Sequence, residues 1–211
     1  MRLARRDYPS SFSAKTPCKE LMSPTPFPAS SLRNAALLYG GMTALAVALA
    51  LPLRAGLAVF TLPDLPLAWL AGLTGGLLLL AISWLAERVW PRFRALGDTM
   101  AALLGPVTPG QAALLALLSG IGEEALFRGP IQIALGPLAA TLLFAGLHGL
   151  GNRRLWPWPL FALLAGALFA ALAWQFHSLW PGAVAHVVVN AVNLRRLGLR
   201  YTPRAASGTD V

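Results

Sequence analysis

Along the chain, apolar residues gather into six long runs separated by short polar or basic stretches: 34–53, 65–86, 105–122, 129–150, 155–176 and 178–194. About 20 helical residues cross the hydrocarbon core of a bilayer. The first, second and fifth runs meet that length with no charged residue inside them. The others span only if they carry polar groups into the membrane: Glu123 and Glu124 directly after the third run, His148 in the fourth and His186 in the sixth. The pattern predicts an all-α, polytopic transmembrane bundle of about six helices, with no convincing internal repeat. Small residues at Gly40, Gly41, Gly72, Gly75, Gly76 and Gly166 suit close helix packing.

Charge orients these runs. With the N-terminus in the cytoplasm, the inner segments 1–33, 87–104, 151–154 and 195–211 hold 15 of the 17 Lys and Arg residues. The exceptions are Arg54, read as an interfacial snorkelling residue, and Arg128. This bias predicts both termini in the cytoplasm. Trp90, Trp156, Trp158 and Trp180 fall near predicted helix ends, where amphipathic rings settle. The domain plan follows. Residues 1–33 are a flexible basic tail without a signal peptide, with Met22 as an alternative start. Residues 34–104 give two helices and a basic cytoplasmic loop, 105–195 a core of four helices, and 196–211 a basic cytoplasmic tail.

Composition sharpens this picture. At 56% hydrophobic and 12% charged, the 211 residues are too apolar for a soluble domain, where about 25% are charged. The net charge of +9 sits beside the apolar runs rather than on a patch of its own, which argues against nucleic acid as a partner and for the lipid bilayer. The one cysteine, Cys18, can build neither a disulfide nor a cysteine zinc site.

The candidate chemistry lies in the few polar groups within the runs: Glu123, Glu124, Arg128, His148, His186 and Asn190. Such groups cost several kcal/mol unless paired or facing a wet cavity. Glu124 and Arg128 are four apart with the acid first, the favourable order for an ion pair. His186 and Asn190 share a helix face by the same spacing, as do Phe144 and His148. Glu123 points about 100° away from Glu124, and Phe127 stands at its i+4 place, so it is free to face a cavity. Dividing the runs at their apolar limits would put Glu123 and His148 at opposite depths. A turn at Gly136-Pro137, with the preceding helix continuing past a kink at Pro130, brings both to roughly 18 Å from that turn. His177 lies in the turn before the last helix and reads as incidental.

The stretches GIGEEALFRG, FAGLH and HVVVN carry these residues as EExxxR, FxxxH and HxxxN. In that order, and with SLWPGAVAHVVVN around the last, they resemble the CPBP family of CAAX proteases and bacteriocin-processing enzymes, also called the Abi family, over about residues 105–195. The resemblance implies a multi-pass intramembrane endopeptidase of the cell membrane, in bacteria the inner membrane, acting on a membrane-associated peptide or protein. It implies Glu123 as general base on a water, His148 holding that water, His186 and Asn190 stabilising the oxyanion, and Glu124 and Arg128 organising the site. The departure is brevity: eukaryotic CAAX endopeptidases have more helices, so the resemblance does not by itself imply their prenylated substrates.

The residues themselves suit that chemistry. Peptide hydrolysis needs an activated water and donors for the oxyanion, each worth about 3 kcal/mol. Glu123, His148 and His186 also match a known zinc-ligand set, although no HExxH helix is present and one carboxylate cannot readily be both ligand and base. Ser119-Gly120 does not make a rhomboid-type GxSG, since Leu117 stands where the first glycine is needed. Two non-enzymatic readings remain open: a peptide-binding or immunity scaffold, and a proton-coupled transporter, the latter less suited to six helices without inverted symmetry.

Overall fold

The computed structural model describes residues 27–52, 57–149 and 155–201, and the regular structure among them is entirely helical. Seven α-helices follow one another: α1 (Ala29–Ala50), α2 (Pro66–Val89), α3 (Pro91–Leu104), α4 (Pro109–Leu126), α5 (Gln132–Leu147), α6 (Pro157–Phe176) and α7 (Trp180–Tyr201). A short 3-10 turn (Ala58–Phe60) precedes α2, and a π-helical stretch (Phe127–Ile131) joins α4 to α5. Cys18, Met22, Arg54 and most of the two tails lie outside the described residues.

Four helical stretches are long and apolar enough to cross a membrane: Ala29–Ala50, Pro66–Val89, Pro109–Leu147 and Pro157–Phe176. The third, at 39 residues, would be about 58 Å long if straight, roughly twice the hydrocarbon thickness. It instead folds back. Its only non-helical backbone lies at Gly129 (φ −74°, ψ −114°) and Gly136 (φ 84°, ψ 165°), each followed by a proline that has no N–H to give. The left-handed φ of Gly136 is one that side-chain-bearing residues rarely adopt. The expected Pro130 kink and Gly136-Pro137 turn are therefore borne out. The apolar limits 105–122 and 129–150 are not the helix limits. α4 starts at a Thr108–Gln111 capping box and runs on through both glutamates.

Three other limits move. α1 begins at Ala29, so 29–33 are helical rather than tail. α7 continues past Leu194 to Tyr201. Within the stretch read as the 87–104 loop, α2 runs on to Val89 and α3 fills most of the rest, a 14-residue helix that buries Phe93, Leu96, Gly97 and Ala101 on one face.

α7 is the central helix, packed chiefly on α2 and α4, while α1 lies along α4 and α5 pairs with α6. Glycines set the close approaches. A Cβ on Gly72 would stand 2.5 Å from the Pro181 carbonyl oxygen, and one on Gly76 would stand 3.0 Å from that of Ala185. Gly40 and Gly41 differ from expectation, since both face open space. Outside the packed seams the helices expose leucines on every long span, among them Leu38, Leu45, Leu70, Leu77, Leu142 and Leu164. That surface suits lipid and not water, and the protein is a multi-pass membrane protein.

Candidate active site

Arg128 Nε donates to Glu124 Oε2 at 2.9 Å, with both side chains fully buried. A buried charge pair needs further partners to be tolerated. Arg128 Nη1 also donates to Gln132 Oε1 at 3.3 Å, Gln132 Nε2 donates to the Ala170 carbonyl, and the guanidinium carbon lies 5.4 Å from the Phe144 ring. Room for the pair comes from glycines opposite. A Cβ on Gly182 would sit 3.2 Å from Glu124 Oε2, and one on Gly166 would sit 3.6 Å from Arg128 Nη2.

Glu124 uses its second oxygen on α7: His186 Nδ1 lies 3.2 Å from Oε1. Because a carboxylate accepts, Nδ1 carries the proton and donates. The imidazole stacks on Phe169, centroids 5.0 Å apart at 18°. These contacts fix the ring so that Nε2 turns toward Glu123 Oε2, at 3.9 Å. The approach of α7 to α4 is set by Gly120, where a Cβ would stand 2.6 Å from Val187 Cγ2.

His148 caps α5, and its Nδ1 lies 2.7 Å from the Phe144 carbonyl oxygen. A carbonyl can only accept, so Nδ1 donates and a neutral ring presents its Nε2 lone pair. Phe144 and Trp158 hold the ring from two sides. Its Nε2 is 3.7 Å from Glu123 Oε2. That carboxylate oxygen is buried and has no hydrogen-bond partner among the described residues. His148 at the end of α5 and His186 on α7 thus converge on a single oxygen atom of Glu123 on α4. Asn190, one turn beyond His186, donates to Ser119 Oγ at 2.9 Å and lines the same cavity.

The cavity has a volume of about 490 Å³. Glu123, His148, His186 and Asn190 lie along it together with Leu115, Phe161 and Val189. It extends to Phe93, Leu96 and Met100 on α3 and to Glu87 and Arg196 beside them. Among the described residues, no group of three or more His, Cys, Asp or Glu side chains is arranged to hold a metal ion.

Every candidate residue read from the sequence therefore lies in or directly behind one site. Reading the sequence alone missed two residues. Gln132 accepts from the arginine, whose Nη2 has no hydrogen bond among the described residues. Tyr39, on α1, lines the cavity beside Glu123. With Thr43, which bonds the Tyr39 carbonyl one turn on, it is one of the few polar groups in an otherwise apolar run.

Residues 106–192 match the Rce1-like family. The family is described as Type II CAAX prenyl endopeptidase Rce1-like, and the match spans less than half of the chain. It covers α4 to most of α7, the stretch on which the CPBP and CAAX-protease resemblance rests, and bears that resemblance out. α1, α2 and α3 lie before it. No curated protein and no solved structure matches the chain.

Proposed function

We propose that the protein is an intramembrane endopeptidase that hydrolyses a peptide bond in a membrane-associated protein or peptide, with Glu123 as general base on a water molecule. The observation that supports this reading most is the convergence of His148 Nε2 and His186 Nε2 on the unpartnered Glu123 Oε2, at 3.7 and 3.9 Å. Those distances are long for direct hydrogen bonds and suit a water bonded to the acid and to an imidazole.

The roles follow from which atoms can give or take a proton. His148 accepts at Nε2 from the water and orients it. Glu123 takes the water's proton as the oxygen attacks the carbonyl carbon, and the carbonyl electron pair moves onto its oxygen. His186, with a proton on each nitrogen, is an imidazolium paired with Glu124, and its Nε2–H donates to that oxyanion. The Asn190 amide supplies a second donor, and each such donor contributes about 3 kcal/mol. Collapse breaks the C–N bond, and the proton held by Glu123 passes to the leaving amine. Glu124 and Arg128 hold His186 in place.

The protein works in the cell membrane, the bacterial inner membrane in particular, with both termini in the cytoplasm. Its substrates are CAAX-type ends or leader and sorting signals. Comparative proteomics of membrane peptides, wild type against Glu123→Gln, tests the reading. A peptide that accumulates uncut only in the variant is expected. Unchanged cleavage in the variant would remove the enzyme assignment, and binding of a membrane peptide without cleavage in either protein would favour a scaffold.

A further inference from the structure

Glu123 has one polar neighbour that comes from outside the matched segment. Tyr39, on α1, lines the cavity together with Glu123. α1 is held there by a close backbone approach. A Cβ on Gly122 would stand 2.8 Å from the Tyr39 carbonyl oxygen and 2.9 Å from its Cβ. The carbonyl is held in turn by Thr43 Oγ1 at 2.9 Å. Glu123 itself is poorly held. Among the described residues it makes no ion pair with an arginine, Oε2 has no hydrogen bond, and both imidazoles stand beyond hydrogen-bonding distance. A carboxylate on two freely turning bonds loses rate when it can leave the attack geometry.

We propose that Tyr39 is a positioning residue: its phenol donates to Glu123 and fixes the carboxylate so that Oε2 faces the two imidazoles. α1 is then part of the active site and not only a membrane anchor. The inference rests on the reading of Glu123 as the base.

The test uses full-length protein in detergent micelles and has two readouts. The chain holds four glutamates, Glu20, Glu87, Glu123 and Glu124, so carbon-13 labelling of glutamate gives few infrared carboxyl bands. The band lost in Glu123→Gln belongs to Glu123. In Tyr39→Phe that band is expected to shift, while the melting temperature stays at the wild-type value. An unshifted band overturns the proposal whether or not a substrate is in hand, as does a shift accompanied by a lowered melting temperature. Kinetics with the peptide that accumulates in Glu123→Gln cells give the second readout. Tyr39→Phe should lower kcat about tenfold to a hundredfold with KM unchanged, in line with a lost oriented hydrogen bond. Gly122→Ala, which displaces the Tyr39 backbone, should cost much less in the Tyr39→Phe background than in wild type. A normal kcat in Tyr39→Phe beside an inactive Glu123→Gln overturns this inference alone, whereas activity in Glu123→Gln overturns the proposed function beneath it.

Discussion

At the scale of single residues, adjacent glutamates do opposite work. Glu124 pairs with an arginine and a histidine in full burial, whereas Glu123 keeps one oxygen unbonded beside a cavity. Removing the arginine alone leaves a buried charge, so Arg128→Met should destabilise by about 3–5 kcal/mol, read as a lowered melting temperature in detergent. The double variant Glu124→Gln, Arg128→Met should recover much of that loss without recovering cleavage, because His186 no longer has a carboxylate at Nδ1. The proposed roles also set a bell-shaped pH profile of kcat. Activity falls on the acid side as Glu123 takes up a proton, and on the alkaline side as His186 gives one up. A flat profile across both limbs would contradict them. The ion pair was readable from its spacing of four, and the freedom of Glu123 from the phenylalanine at its i+4 place. Tyr39 was not readable, because its partner lies on another helix and no local spacing links the two.

At the scale of elements, glycines decide which helices touch. Gly120→Val should push α7 off α4, lower kcat at least a hundredfold and reduce stability, since its Cβ meets Val187 at 2.6 Å. Gly41→Ala, which meets nothing within 4 Å, should leave both unchanged. The hairpin was readable in part. Gly136-Pro137 and Pro130 announced breaks, and a shared depth for Glu123 and His148 required them. α3 was hidden for a physical reason. Arg92, Arg94 and Asp98 interrupt its sequence, so no apolar run appears, yet Phe93, Leu96, Gly97 and Ala101 repeat on one face and pack against the bundle. Arg200 crosses that packing: it bonds Asp98 at 2.7 Å and Glu87 at 3.0 Å, and a Cβ on Gly97 would meet its Nη1 at 2.7 Å. Basic residues near a membrane face therefore have two readings, topology and tie. The charge pattern suggested the first, and the structure adds the second for Arg196 and Arg200.

For the whole molecule, the charge bias and the helix order together give an expected topology. In it, α3 and the C-terminal turn of α7 would lie at the cytoplasmic face, and the 3-10 turn at Ala58–Phe60 at the other. Single cysteines placed at Asp98 and at Thr61, in a background without Cys18, should label with an impermeant thiol reagent from opposite sides of the membrane. Labelling from the same side would reverse the orientation or break the helix count. The end near Thr61 is tied shut: Ser178 Oγ bonds the Thr61 carbonyl, Trp180 Nε1 the Phe60 carbonyl, and Leu179 N the Val59 carbonyl. The cavity runs the other way, from Glu123 toward α3, Glu87 and Arg196. Chemistry buried in lipid would then be supplied from one compartment only. A polar inhibitor unable to cross bilayers should spare right-side-out vesicles and silence inverted ones, so the side from which such a compound is delivered would matter as much as its fit.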